Sequence, residues 1–275
     1  MEKLFNTRSM IFTLYGDYIS RYGNVIWIGS LIRLLKEFGH NEQSVRAAIS
    51  RMSKQGWVES EKKGNKSYYS LTNRGKARMN EASKRIYKED SPEWDGLWRM
   101  LIYTIPEEKR HLRDDLRQEL VWSGFGALST GCWITPNPIE KQVEDLIEKY
   151  EVGPYVNFFR ASHEGMSDNA GLVEKCWDMD TINERYAAFI EEYKKDLLAD
   201  KAKIANEDMS DGSCFVKRAL LVHHYRKFLF IDPSLPRELL PEKWIGDAAA
   251  ELFTEYYRIL EKPAIRFFES VFDLG

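Results

Sequence analysis

The first seventy residues alternate between helical and strand-like spacing of their hydrophobic positions. Stripes at 9–19, 28–38 and 45–52 predict three helices, and the short apolar run at 25–27 predicts a strand between the first two. Two strand-like runs then flank the Gly64-Asn65 turn, which predicts a β-hairpin within residues 57–71. Residues 72–87 follow as a basic helix. This order is typical of a winged helix-turn-helix.

The middle of the chain has a different alternation. Strand-like runs at 98–105 and 155–159 enclose helical patterns at 107–122 and 139–150, and the uncharged run 125–135 between these helices predicts a hairpin. A β-α-β-α-β order with a paired central strand predicts a small ferredoxin-like domain.

From residue 180 onward the apolar spacing is helical. Stripes occur at 182–197 and 248–260, and residues 215–230 are apolar nearly all round, which predicts a central buried helix. Pro263 is expected to break or kink the last helix. We therefore predict an α+β fold of three domains: a winged helix-turn-helix in 1–90, a ferredoxin-like domain in 91–179 and a helical domain in 180–275. The Ser91-Pro92 pair marks the first boundary.

The third predicted helix has an outward face suited to DNA. Its buried stripe leaves the following residues on or near the other face: Gln43, Arg46, Ala47, Ser50, Arg51 and Lys54. Arginine pairs bidentately with guanine and glutamine can pair with adenine, while small side chains allow a helix to approach the groove closely. The hairpin tip adds Lys62, Lys63 and Lys66, which could bind phosphates. We predict that these nine residues bind DNA; the alternative is a three-helix bundle with a hairpin and no partner.

The charge distribution favours the DNA interpretation. Residues 1–89 contain 17 Lys and Arg against 8 Asp and Glu, whereas the rest of the chain contains 23 against 35. A basic terminal domain is the electrostatic footprint expected of nucleic-acid binding, although a solvated basic surface would look the same.

Composition excludes several other classes. Hydrophobic residues make up 43% and charged residues 30% of 275, which is a globular balance. Cys132, Cys176 and Cys214 are far apart with no CxxC pair, so we expect neither disulfides nor a zinc site. The longest uncharged stretch, 120–139, contains too many Gly and Pro residues for a membrane helix, and no export signal is evident at the start. We expect a cytoplasmic protein without a membrane partner.

The sequence contains few residues in a pattern that would indicate an enzyme. The strand 101–106 resembles that of the small CRISPR-associated spacer-acquisition proteins, which carry a metal-binding Asp just after the Tyr of this strand. Here that position is Thr104, a poor Mg²⁺ ligand, so a metal-dependent nuclease is the disfavoured alternative. His223 and His224 are adjacent and cannot form an i, i+4 metal pair. We expect one to be a packed core histidine and the other to make a polar or ligand contact, and we predict no catalytic or metal-binding residues and no cofactor.

The chain resembles the PaaX-type repressors of the phenylacetate degradation operon along nearly its whole length. The segments that carry the resemblance are Ser30-Leu31, Val45-Arg46-Ala47-Ala48, Arg51-Met52-Ser53-Lys54-Gln55-Gly56-Trp57, Tyr68-Tyr69-Ser70-Leu71-Thr72, Pro92-Glu93-Trp94-Asp95-Gly96, Trp122-Ser123-Gly124-Phe125-Gly126, His223-His224-Tyr225-Arg226-Lys227, Asp232-Pro233, Leu235-Pro236 and Leu239-Leu240-Pro241. The resemblance implies the same three domains. It also implies a homodimeric repressor that binds an operator in double-stranded DNA and releases it when phenylacetyl-coenzyme A binds.

An aryl-acyl-CoA effector of this kind sets physical requirements. Its phosphates need cationic partners and its ring needs an aromatic-lined pocket. The candidates for the phosphates are Arg218, Arg226, Lys227 and Arg237, and those for the acyl end are Trp122, Phe125 and Trp133. The alternative for each is ordinary packing or a surface ion pair.

Overall fold

A computed structural model describes residues 5–87 and 93–272. The described residues form ten α-helices and two antiparallel sheets. They divide into two compact units: the first is drawn from Met1–Tyr87, Phe189–Arg226 and Ala248–Gly275, and the second from Lys88–Ala188 and Lys227–Asp247. The predicted boundary at Ser91-Pro92 lies outside the described residues, and the division into three domains stays a prediction.

The N-terminal part of the first unit has the predicted order of elements. Its elements are α1 (Thr7–Asp17), β1 (Val25–Trp27), α2 (Ile28–Lys36), α3 (Glu42–Lys54), β2 (Val58–Lys63), β3 (Lys66–Leu71) and α4 (Asn73–Ile86). The three strands form an antiparallel sheet in the order β1-β3-β2. The apolar stripes that predicted the three helices are buried, so the sequence identified the core of this region correctly.

Three helices from the second half of the chain belong to this same unit. They are α9 (Asp211–Tyr225), most of α10 (Gly246–Val271) and, from Phe189 onward, α8 (Met179–Ala205). Helix α1 packs against α9. The Tyr18 ring lies 5.1 Å from the rings of both Phe215 and Phe268, measured between centroids. The first helix of the chain and its last two long helices therefore share one aromatic core.

Two helix predictions in this half need correction. The predicted helix at 215–230 ends at Tyr225, and Arg226–Phe230 continues as a 3-10 helix. A break at Pro263 is wrong, because α10 runs through it. Proline removes one hydrogen bond of the helix, but Leu260, Ala264 and Phe268 around it are fully buried, and their packing offsets that loss.

The second unit contains the predicted β-α-β-β-α-β series, the order of elements of ferredoxin-like domains. Its elements are β4 (Trp98–Tyr103), α5 (Arg110–Trp122), β5 (Gly126–Ser129), β6 (Cys132–Thr135), α6 (Glu140–Lys149) and β7 (Val156–Ala161). The sheet is antiparallel throughout, in the order β5-β6-β4-β7. Leu101 and Trp133 from the sheet and Leu116, Leu120 and Val143 from α5 and α6 form one buried cluster.

A short helix in this unit has no counterpart among the predicted elements. Helix α7 (Asn169–Cys176) begins at Asp168, whose side chain accepts a hydrogen bond from the backbone N–H of Gly171. Only Leu172 and Val173 of this helix are buried, so its apolar pattern is too short to be recognised as helical.

Candidate nucleic-acid interface

Helix α3 is fixed by a local cap and a buried stripe. The Asn41 side chain accepts a hydrogen bond from the backbone N–H of Ser44 at 2.8 Å, which starts the helix at Glu42. The buried side chains of this helix are Val45, Ala48, Ile49 and Met52. The cap and the stripe together set which face of α3 points away from the core.

The predicted DNA-contact residues of α3 all lie on that outward face. Gln43, Arg46, Ala47, Ser50, Arg51 and Lys54 are exposed. The Arg46 guanidinium pairs with Glu42 one turn earlier, with 2.7 Å between Nε and Oε1. Both side chains of the pair are more than half exposed, and such a surface pair contributes little free energy. A base edge or a phosphate could therefore replace Glu42 as the partner of Arg46.

The hairpin brings its lysines to one end of the three-stranded sheet. Strand β2 pairs with β3 so that Lys62 faces Ser67 and Lys63 faces Lys66. Gly64 has a φ of +58°, a left-handed conformation that favours glycine at this tight turn. Lys62 and Lys63 are exposed, and Lys66 is half-buried. The Lys63 ammonium lies 3.4 Å from the Glu61 carboxylate on the same strand.

Side-chain bonds anchor the hairpin to the helices beside it. The Thr72 hydroxyl donates to the backbone carbonyl of Gly56 at 2.7 Å and accepts from the N–H of Gly75 at 3.2 Å, so it links the end of α3 to the start of α4. The Arg74 guanidinium lies 4.3 Å from the centroid of the Trp57 ring. These contacts hold the base of the hairpin in a fixed position relative to α3.

A buried ionic cluster lies where α1 meets the C-terminal helices. Arg218 of α9 and Asp17 of α1 are both fully buried, with 3.2 Å between Nη2 and Oδ1. The Tyr257 hydroxyl of α10 donates to the same carboxylate oxygen at 2.5 Å. The Arg218 guanidinium also lies over the rings of Tyr257 and Tyr18, at 4.1 and 5.0 Å. Burial raises the pKa of the Asp17 carboxyl, and the charge of Arg218 opposes that shift.

Sequence reasoning missed this cluster. The available signal was Asp17, a carboxylate that continues the spacing of the buried Met10 and Leu14 and thus stands at a core position of α1. A charge at a core position needs a buried partner. The sequence offers no indication that the partner is Arg218, two hundred residues away.

Arg226, the residue that follows α9, makes a second contact to α1. Its Nη2 donates to the backbone carbonyl of Ser9 at 2.9 Å and also bonds the Ser9 hydroxyl. Within the part of the chain that the structure describes, no carboxylate pairs with Arg226. Burial lowers the pKa of its guanidinium to about 10. Arg226 is thus a largely buried cation that pairs with no carboxylate among residues 5–87 and 93–272.

The two adjacent histidines differ in burial, and one of them lies in the core as predicted. His223 is buried, and its Nδ1 lies 3.0 Å from the Thr13 hydroxyl of α1. His224 is half-buried, and its Nδ1 lies 2.6 Å from the Tyr193 hydroxyl of α8. Both histidines make polar contacts inside the first unit.

The seven predicted effector residues fall into both units. Arg218 and Arg226 belong to the first unit, and the other five belong to the second. Phe125 and Trp133 lie in the core cluster of the second unit, while the Trp122 ring packs edge-on against Phe230. Lys227 and Arg237 are exposed.

The second unit also contains a cavity of about 390 Å³ beside the sheet. Trp98, Met100, Ile134 and Leu172 are among its apolar lining residues, and His163, Lys175 and three serines also line it. The predicted effector residues are not among those that line it.

The position after strand β4 is Thr104, which is exposed and donates its backbone N–H to the carbonyl of Tyr155 at 2.9 Å. Among residues 5–87 and 93–272, no three His, Cys, Asp or Glu side chains come together in a way that could hold a metal ion. In the same residues, no helix is both long and apolar enough to cross a membrane.

Three family models and one sequence relative indicate the same family. Residues 6–75 match the family model described as PaaX-like protein, residues 91–173 match the PaaX protein central Cas2-like domain, and residues 177–270 match the PaaX-like protein C-terminal domain. The chain is 34% identical over 262 residues to transcriptional repressor PaaX of Escherichia coli strain K12, covering 94% of this chain and 82% of that protein. It also shares its fold with an uncharacterized protein of Mycobacterium tuberculosis. That structure has a TM-score of 0.59 and 24% identity, over 97% of this chain and 98% of the other.

Proposed function

Because the chain belongs to the PaaX family, we propose that this protein is a DNA-binding transcriptional repressor. The observation that carries the proposal is the outward face of α3, where six polar or small side chains are exposed beside a lysine-bearing hairpin. The small side chains of Ala47 and Ser50 allow the helix to approach a DNA groove closely. A basic face that contacts only water does not require small residues at these positions.

In this proposal the N-terminal elements act as a winged helix-turn-helix. Helices α2 and α3 form the helix-turn-helix, α3 enters the major groove, and the β2–β3 hairpin is the wing. Gln43 and Arg46, near the start of α3, reach base edges. The remaining cations bind phosphates and position the helix: Arg51, Lys54, Lys62, Lys63 and Lys66. As a repressor of bacterial type, the protein would act in the cytoplasm.

The experiment compares a base-reading residue with a phosphate-binding one. An operator duplex is first selected from random sequences by the wild-type protein. Arg46→Ala should then weaken operator binding by about 1–3 kcal/mol and relax the sequence preference at one position. Lys63→Ala should weaken binding to all sequences alike and reduce the magnitude of the slope of log K against log salt by about one per bound protomer.

Matched controls are available outside the predicted interface. Arg258→Ala on α10 and Lys195→Ala on α8 each remove one exposed cation from the first unit. Equal operator affinity for Arg46→Ala, Lys63→Ala and both controls would contradict the assignment of the interface.

We further propose that the protein binds DNA as a homodimer. Two copies would place their α3 helices in successive major grooves, about 34–36 Å apart or a multiple of that distance. Light scattering should give a mass of twice 32.2 kDa, and selected operators should be palindromic. A monomer mass with a single half-site would contradict the dimer.

We propose that the regulated genes serve phenylacetate catabolism and that an aryl-acyl-CoA, phenylacetyl-CoA or a relative, releases the operator. Among the candidate phosphate partners, Arg226 has the strongest support because its positive charge lacks a carboxylate among the described residues. Arg218 has weaker support because Asp17 already neutralises it. Lys227 and Arg237 are exposed and accessible to a phosphate, and Trp122, Phe125 and Trp133 remain the candidates for the acyl end.

Operator titrations with phenylacetyl-CoA, coenzyme A and free phenylacetate test the effector. A ligand shifts binding only by its differential affinity for the two states, and a coupling of about 1–3 kcal/mol gives a 5–150-fold loss. We expect this loss with the thioester alone, and we expect Arg226→Met to abolish it while operator affinity without ligand stays the same. Equal operator affinity with and without the thioester would refute this part of the proposal.

We propose a regulatory rather than a catalytic protein. The nuclease alternative needs a carboxylate where the chain has Thr104. Incubation with DNA or RNA and Mg²⁺ or Mn²⁺ should leave the nucleic acid intact. Metal-dependent cleavage that disappears on mutation of the second unit would favour the nuclease instead.

A further inference from the structure

Two aromatic side chains lie next to each other on the three-stranded sheet of the first unit. Trp27 of β1 and Tyr68 of β3 are register partners, so their side chains point to the same face. Val58 and Leu71 are also register partners and are buried in the core on the opposite face. Trp27, which is half-buried, and Tyr68, which is 5% exposed, therefore lie side by side on the face of the sheet opposite that core, and we call this pair the aromatic shelf.

Three cations lie over this shelf. The Arg33 guanidinium of α2 and the Lys66 ammonium of β3 lie 5.3 and 4.7 Å from the Trp27 ring centroid. The Lys63 ammonium lies 5.6 Å from the Tyr68 ring. Two elements thus contribute positive charge to one indole ring. Attraction between a cation and the face of an aromatic ring helps to hold each of these side chains in place.

The position of the indole ring is built into the backbone. A methyl group at Gly29, in the first turn of α2, would overlap the Trp27 ring. Glycine at this position therefore allows the ring to lie across the start of α2, close to Arg33. The shelf links α2 to the hairpin through these contacts.

We propose that the shelf positions Arg33 as a further phosphate contact, beside Lys66, on the backbone of the same duplex that α3 reads. The inference rests on the proposed function. Arg33 is exposed, and no carboxylate among the described residues pairs with it. A guanidinium that lies over an indole ring still has N–H groups available to phosphate oxygens, and holding it in advance reduces the entropy lost on binding. Lys66 extends this line of cations to Lys63 at the hairpin tip, because the two lysines are register partners on β3 and β2.

The first test measures the number of phosphate contacts. Binding of the full-length protein to a mixed-sequence duplex of about thirty base pairs, long enough for two half-sites, is measured by fluorescence anisotropy at several salt concentrations. Arg33→Ala removes one phosphate contact per protomer, so it should reduce the magnitude of the slope of log K against log salt by about 0.9 per protomer, about 1.8 for the homodimer. Arg258→Ala, which removes one exposed arginine from α10 of the same unit, should leave the slope unchanged.

The second test separates the shelf from the charges it holds. Trp27→Leu keeps every cation and an apolar side chain but removes the ring. We expect affinity to fall about 2- to 5-fold for each cation held, and Trp27→Phe to restore most of it. The melting temperature of each variant is measured in parallel, so that a loss of folded protein is not mistaken for a loss of contact.

The outcomes distinguish this inference from the proposed function. If Arg33→Ala and Arg258→Ala change the slope equally, or if Trp27→Leu binds like the wild type, the shelf has no role in DNA binding. The proposed function would still stand if Arg46→Ala weakened operator binding. If the wild-type protein binds no duplex at any salt concentration, the proposed function itself fails.

Discussion

The arginines of α3 and the arginine of the buried cluster occupy opposite environments in the same compact unit. Arg46 is 55% exposed and pairs with Glu42 on its own helix, whereas Arg218 is fully buried and pairs with Asp17 from a distant part of the chain. Water and DNA can compete for the first pair but not for the second. The same kind of side chain is therefore open to a ligand in one place and committed to the folded core in the other, and burial decides which.

Arg226 and Arg99 lie between these extremes. Arg226 is largely buried but bonds only to Ser9 in the described chain. Arg99 of β4 is 2% exposed and pairs with Asp95 and Glu140, at 2.6 and 2.9 Å, and both carboxylates are reached by solvent. When an arginine is replaced, the loss in the free energy of unfolding should depend on whether its former partner is left buried or in contact with water. A buried charge without a partner destabilises the fold strongly, whereas a carboxylate in contact with water destabilises it little.

The largest expected effect is that of Arg218→Met. It leaves the Asp17 carboxylate buried without its cation, and the free energy of unfolding should fall by about 3–5 kcal/mol. Denaturant unfolding monitored by circular dichroism measures the loss. Adding Asp17→Asn should recover a large part of it, because the uncompensated charge is then removed. A double variant less stable than Arg218→Met alone would contradict the account of the cluster.

Arg99→Met in the second unit should have a smaller effect, about 1–3 kcal/mol, because its carboxylate partners can be hydrated after the change. The ion pair between Arg99 and Asp95 also predicts that the free energy of unfolding depends on pH. The hydrogen bond from Arg99 lowers the pKa of Asp95, so this contribution to stability is complete above the ordinary pKa of an aspartate and is lost as the pH falls through the lower folded value.

Unfolding measured from pH 7 downward checks this prediction. The stability difference between wild type and Arg99→Met should narrow at acid pH. A difference that stays constant down to pH 3 would show that Asp95 does not contribute through its charge.

Arg226→Met should change the free energy of unfolding by less than about 1 kcal/mol. The variant loses hydrogen bonds to Ser9, but the Ser9 carbonyl still accepts from the Thr13 hydroxyl at 3.2 Å. Removal of an unpaired buried charge offsets the remaining cost. A loss as large as that of Arg218→Met would mean that Arg226 is a structural residue and would weaken its assignment to an effector.

Arg51→Ala should have the smallest effect on folding, within about 0.5 kcal/mol, because its exposed side chain is remote from the core. Its operator affinity should nevertheless fall. The contrast with Arg218→Met is sharpest when both variants are measured for unfolding and for binding. A stability loss in Arg51→Ala comparable to its binding loss would remove the distinction between the two environments.

Much of the local structure could be predicted from the sequence. The α3 stripe, the hairpin turn at Gly64-Asn65 and the outward position of Arg46 all follow from spacing, and the structure agrees with them. The sequence-based predictions failed where an apolar pattern was too short, or where tertiary packing outweighed a local preference. Helix α7 buries only two side chains, and Pro263 lies inside a helix whose neighbouring residues are tightly packed.

The sequence by itself determined the order of helices and strands, the apolar faces and the basic character of the N-terminal region, because the periods of 3.6 and 2 and the turn residues are local properties of the chain. Only the tertiary structure decided which cations remain exposed. Arg218 and Arg46 look alike in the sequence, and the packing of α9 against α1 buries one with Asp17 while the other stays in water. The surroundings of Trp27 likewise come from the pairing of β1 with β3 and from the approach of Arg33. Such partnerships depend on contacts between residues distant in sequence, which no local pattern encodes.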